Sequence, residues 1–158
     1  MMARRIFFLL PILALFIAAT LQSGELITFF GVKPNLVLVL LSTFSFFVPN
    51  LLTYAMLVLF GTAVLSFAPG LSWDNAALTL VALLFFYVRD RFLVIGLSAS
   101  ILFAIFGTVL FYLLTSPTML YDEVGVVLKE LIYNALLGVT LFSLNNLFYE
   151  KKGGSSIR

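Results

Sequence analysis

Few side chains in this chain can do chemistry, and the missing ones narrow the field first. The sequence has no histidine and no cysteine. That removes imidazole and thiolate metal ligands, disulfides, and any nucleophile that needs a histidine beside it. The carboxylates, Glu25, Asp74, Asp90, Asp122, Glu123, Glu130 and Glu150, all fall at the ends of apolar segments or between them. None is expected in mid-segment, where a proton relay or a coupling ion needs an acid. Asp122 with Glu123, and Asp74 in another connection, could form a carboxylate pair, but solvated loop charges are the simpler reading. There is no Gly-rich phosphate loop and no nucleophile with a base at its side. The expectation is a protein that is not an enzyme and carries neither cofactor nor metal.

Polar and small residues inside the apolar segments are the next candidates. Glu130, Asn134, Gly138 and Asn145 recur at steps of four, four and seven, on one helical face that Leu141 completes. Gly96, Ser100 and Gly107 share a face in the same manner. Such stripes let helix backbones approach in lipid and let amides bond across the contact, within one chain or toward another membrane protein. Asn134 must find partners, because a buried amide without them is costly. A further candidate is "GVKPNLVLVLL", Gly31 to Leu41, where Lys33, Pro34 and Asn35 precede an unbroken apolar run. Pro34 suits a first helical turn, since it gives up an N–H that would be unpaired there anyway. Lys33 can snorkel to headgroups, or pair with Glu130 if the two helix ends are neighbours.

The elements that must position these residues follow from composition. Of 158 residues, 63% are hydrophobic and 10% charged, against about 25% charged in a soluble domain. The solvent implied is lipid, and a net charge of +2 does not suggest a nucleic-acid partner. Apolar segments at about 6–22, 34–48, 51–68, 75–89, 92–114 and 130–149 predict six transmembrane helices in one domain, 1–150, an all-α integral membrane protein. A Gly-Ser tail, 151–158, is expected to be flexible. The first segment has the charged start and apolar body of a signal peptide, yet with five spans behind it we expect it to be retained. The second and fourth segments are short: fifteen residues reach roughly 22 Å against a hydrocarbon core of about 30 Å. Either these helices run on into their polar flanks, or the bilayer thins, or neighbouring protein shelters them. With the N-terminus inside and the spans alternating, Arg4, Arg5, Arg89, Arg91, Lys151, Lys152 and Arg158 are cytoplasmic, leaving only Lys33 and Lys129 outside. That asymmetry predicts an N-in, C-in topology.

Three stretches carry a resemblance. "GVKPNLVLVLL" is similar to the Lys-Pro-Asp/Asn segment before an apolar helix in the MreD family of rod-shape-determining proteins. "GLSWDNAALTLVALLFFYVRDRF" resembles that family's stretch after the third helix. "ELIYNALLGVTLF" resembles its last helix, with Glu130, Tyr133 and Asn134 at matching positions. The chain departs from the pattern in its third segment, which keeps Gly61 but has no acid before Pro69. The resemblance implies a non-enzymatic scaffold subunit of the cell-wall elongation complex. Its partner would be a single-span protein of MreC type, linking it to the cytoskeletal filament and the peptidoglycan synthases. It also implies the six-helix architecture of the substrate-binding subunits of energy-coupling-factor transporters. An alternative function is therefore a vitamin-like binding subunit, for which Trp73, Asp74, Asn75 and Tyr121 would have to converge.

Overall fold

The computed structural model describes residues 2–24, 28, 30–66, 72–89, 91 and 96–150, with the side chains of 2–8 and 148–150 outside that description. Glu25, Asp90 and the tail 151–158 also lie outside the described residues. The described chain is all-helical, without strands: α1 (Met2–Ser23), α2 (Leu36–Phe47), α3 (Leu51–Leu65), α4 (Trp73–Arg89), α5 (Leu97–Thr115), α6 (Met119–Asp122) and α7 (Val124–Glu150). Leu97–Thr115 in α5 and Val124–Leu147 in α7 are long and apolar enough to cross a membrane. The apolar stretches Leu9–Ser23, Leu36–Phe47 and Leu51–Leu65 are shorter.

The tripeptide Pro-Asn-Leu opens both α2 and α3, and it does so by the same capping chemistry. Asn35 Oδ1 accepts the N–H of Leu38 at 3.1 Å, and Asn50 Oδ1 accepts that of Thr53 at 2.7 Å. Each asparagine satisfies one of the N–H groups that a helix start leaves without a partner. Asn35 is therefore the cap, and Pro34 stands just outside the helix rather than in its first turn. The last helix differs from expectation as well. It begins at Val124, ahead of the expected boundary near 130, because Lys and Glu are good helix formers and a charge does not end a helix. Lys129 is exposed while Glu130 is buried, so the two charges leave the helix in different environments.

α2 is the centre of the bundle and packs against α1, α3, α4, α5 and α7. Its twelve residues reach only about 18 Å, and all but Leu36 and Phe46 are buried. Shelter by protein is thus the physical setting of this short helix. The fourth helix, seventeen residues long, is different: Ala77, Leu78, Val81, Ala82 and Phe85 are buried, but Leu80 and Tyr87 on its outer side are exposed. The hydroxyls of α2 are satisfied within the helix itself. Ser42 and Thr43 donate to the Val39 carbonyl at 2.8 and 2.9 Å, and Ser45 to that of Ser42 at 2.6 Å.

Arg89, at the end of α4, holds the C-terminal end of α2. It donates to the carbonyls of Ser45 and Val48, the latter at 2.6 Å, and its guanidinium carbon lies 3.9 Å from the Phe86 ring centre. A cation belongs at that end, where the unpaired carbonyls carry partial negative charge. Tyr54 Oη lies 3.0 Å from both the Leu41 and the Ala82 carbonyl, tying α3 to α2 and α4. Around the C-terminal half of α2 the contacts are aromatic: Phe46 meets Phe103, and Phe47 meets Phe142, at centroid distances of 5.0 and 5.3 Å.

Candidate functional site

The N-terminal end of α2 is held by polar side chains from α1 and α7, and those of α7 are held in turn by α5. The geometry is easiest to follow from α7. Glu130 and Asn134 lie one turn apart, and Thr108 and Tyr112 lie one turn apart on α5. The helices run antiparallel, so the pairs meet rung by rung. Tyr112 Oη donates to Glu130 Oε2, and Asn134 Nδ2 donates to Thr108 Oγ1 at 2.8 Å. One turn further on, the rungs are made by small residues. A Cβ on Gly138 would sit 3.4 Å from the Ala104 Cβ, and Ser100 Oγ donates to the Gly138 carbonyl at 3.3 Å.

Asn134 is fully buried and its amide is completely used. The second amide hydrogen is directed at Glu130 Oε1, 3.4 Å away, and Oδ1 accepts the backbone N–H of Asn35 at 3.1 Å. From Asn35 the cluster continues to α1. Gln22 Nε2 donates to Asn35 Oδ1 at 3.3 Å, and Gln22 Oε1 accepts the N–H of Val37 at 3.1 Å. The outcome is one connected set of hydrogen bonds joining α1, α2, α5 and α7. Within it every donor of the Asn134 amide is paired, as a buried polar cluster requires. Glu130 is 5% exposed and lies inside α7 rather than at its end, which corrects its expected edge position. Its contacts to Tyr112 and Asn134 make it a structural acceptor, since both oxygens face donors.

No family model, no curated protein and no solved structure matches this chain. The reading of the site therefore rests on its own geometry.

Of the residues singled out from sequence, the structure brings Asn35, Glu130, Asn134, Ser100 and Gly138 into the seam between α2, α5 and α7. Lys33 is half-buried and Pro34 is buried, both in the chain leading to the Asn35 cap. The three residues grouped as one stripe on α5 separate. Ser100 faces α7, whereas Gly107 faces α4: a Cβ there would lie 2.3 Å from Phe85 Cζ. Gly96 is the N-cap of α5 at φ 100°, and a Cβ there would meet nothing within 4 Å, so its glycine serves the backbone. Asn145 also leaves its expected role, because its Nδ2 donates to the Leu141 carbonyl of its own helix at 2.8 Å. Tyr133 lies beside the seam, lining an open groove on α7 with Leu136, Leu137 and Thr140.

Gln22, Thr108 and Tyr112 escaped the sequence reading. Thr108 and Tyr112 did carry a signal, a polar pair spaced four apart on one apolar helix, matching the spacing of Glu130 and Asn134. Gln22 carried none, since a glutamine at the end of an apolar segment reads as the start of a loop. Of the residues considered for a small-molecule pocket, Trp73 Nε1 donates to the Leu114 carbonyl at 2.7 Å and Asn75 Nδ2 to Ser66 Oγ at 2.5 Å. These two side chains brace the start of α4 against α5 and α3, and Asp74 and Tyr121 are exposed.

Proposed function

We propose that this chain is a six-span scaffold of the bacterial inner membrane, N-in and C-in, without catalytic activity of its own. In this reading it holds a single-span partner of MreC type within the cell-wall elongation complex, and through that partner the cytoskeletal filament and the peptidoglycan synthases. The observation that carries the reading is the bond from the Asn35 N–H to Asn134 Oδ1. It joins two of the segments on which the resemblance to the MreD family rests, the Lys33-Pro34-Asn35 entry and the Glu130–Asn134 turn of the last helix. A pair of short motifs far apart in sequence gains weight when they meet in space and complete one hydrogen-bonded cluster.

Lipid contact is supported by the outer surface. Leu13, Leu52, Leu80, Phe106 and Leu136, on α1, α3, α4, α5 and α7, are each at least 57% exposed. Apolar exposure on every outer helix is far beyond the patches a soluble monomer tolerates. In this reading the partner's helix lies along α7 at the open groove lined by Tyr133, Leu136, Leu137 and Thr140. The test is purification from native membranes in mild detergent, with identification of what accompanies the chain. A stoichiometric single-span protein with a large outer domain is expected. Recovery of the chain alone, or tight binding of a vitamin by the purified chain, would overturn the reading.

A further inference from the structure

Phe30 stands out in the approach to the Asn35 cap. It is the one non-glycine residue with positive φ among the described residues, at 50°, and its ring is 88% exposed. A left-handed backbone is disfavoured for an L side chain, and more so for a bulky one. The conformation is held from the C-terminal side: Gly31 follows at φ 78°, and Val32, Pro34 and Asn35 are all buried. In water this arrangement would be unfavourable twice over, through the backbone and through the wetted ring. Glycine or asparagine would avoid both costs.

The surroundings show what offsets them. Asn35 bonds Asn134, Glu130 accepts from Tyr112, and Trp73 bonds Leu114 two residues beyond Tyr112. The approach to α2, the start of α4, the end of α5 and the start of α7 therefore share one end of the bundle. Three large aromatic residues are exposed at that end, Phe30, Trp73 and Tyr121, the last two at 66% and 80%. Trp and Tyr concentrate where a membrane meets water, with an apolar ring body and a polar tip. The three sit on separate elements, the α1–α2 connection, α4 and α6, which suits a continuous medium better than a single docked protein.

We propose that Phe30 is a membrane-interface anchor, its ring seated among the headgroups and upper acyl chains of the leaflet at the α2 N-terminus, level with Trp73 and Tyr121. The proposal rests on the membrane reading above. Trp73 is the only tryptophan in the chain, so the test uses single-tryptophan proteins: the native chain, and Phe30→Trp or Leu136→Trp in a Trp73→Phe background. Each is reconstituted in phosphatidylcholine vesicles brominated near the headgroup or near the acyl-chain end. Shallow bromines should quench Trp73 and the Phe30→Trp protein more than deep ones do, and the Leu136→Trp protein should show the reverse order. Quenching of the Leu136→Trp protein without quenching of the Phe30→Trp protein would overturn the anchor alone, as would stronger deep than shallow quenching of the latter. Absence of quenching in all three would overturn the membrane reading itself.

Discussion

The backbone N–H of Asn35 donates to the side-chain oxygen of Asn134 at 3.1 Å, across 99 residues of chain. The register of the central helix is thereby set by a side chain on the last one. A helix that is buried on nearly all sides has no solvent to satisfy its first N–H groups, so the cap, Gln22 and Asn134 must supply the acceptors between them.

Asn134→Leu should therefore cost more than its own bonds suggest. It strands the Asn35 N–H and removes donors from Thr108 and Glu130 in a buried place, at about 1–3 kcal/mol for a group left unpaired. Asn145→Leu is the control: its amide bonds only its own helix, and the change should stay within about 0.5 kcal/mol. Thermal unfolding of the two proteins in the same detergent measures the difference. Equal melting temperatures would show that the cluster contributes nothing.

Gly107→Ala should destabilise, although alanine is the better helix former by about 0.8–1 kcal/mol. The new methyl would meet the buried Phe85 ring, whose Cζ is 2.3 Å from the ideal Cβ, and Phe85 is itself stacked on Phe103 at 5.0 Å. Overpacking of this kind costs about 1–3 kcal/mol. Gly125→Ala, with open space at its Cβ, should be neutral or mildly stabilising, and Phe85→Leu should relieve the Gly107→Ala defect. Melting temperatures of the single and double variants decide it.

Arg89→Ala removes the cation that closes the C-terminal end of α2 and leaves the Ser45 and Val48 carbonyls without it. Hydrogen bonds to a charged group contribute about 1.5–3 kcal/mol, so a clear drop in melting temperature is expected. Arg89→Lys should recover only part of it. Both bonds leave Arg89 Nη1, so an ammonium could replace them, but lysine has no planar guanidinium to lie over the Phe86 ring at the same time. Full rescue by lysine would show that charge alone is at work.

Reporter fusions test the proposed topology. Fusions after Arg91 and after Arg158 should read cytoplasmic, and one in the Pro117–Glu123 connection should read external. An external Arg91 would remove the six-span reading, and with it the alternation on which the charge asymmetry depends.

Much of the helical layout was legible in the sequence because apolar runs bounded by Pro, Asn, Gly and charge are local signals. The boundaries of α7 were not, since Lys129 and Glu130 look alike as interruptions and only packing separates the exposed one from the buried one. The grouping of Gly96, Ser100 and Gly107 failed for a related reason. A face defined by spacing names no neighbour, and α5 touches both α4 and α7, so residues of one stripe can serve different helices or none.

The two Pro-Asn-Leu tripeptides separate what each level decides. The sequence by itself determined the apolar character of the segments and the absence of histidine and cysteine chemistry. Each asparagine cap is likewise a local bond, reaching only three residues along the same chain, although Pro34 in the first turn, not Asn35 as a cap, was the expectation for α2. That Asn50 remains a solvent-exposed cap while Asn35 becomes the hub of a buried cluster was decided only by tertiary structure. The deciding partners, Gln22 and Asn134, arrive from opposite ends of the chain, and no local pattern encodes which buried amide they will satisfy.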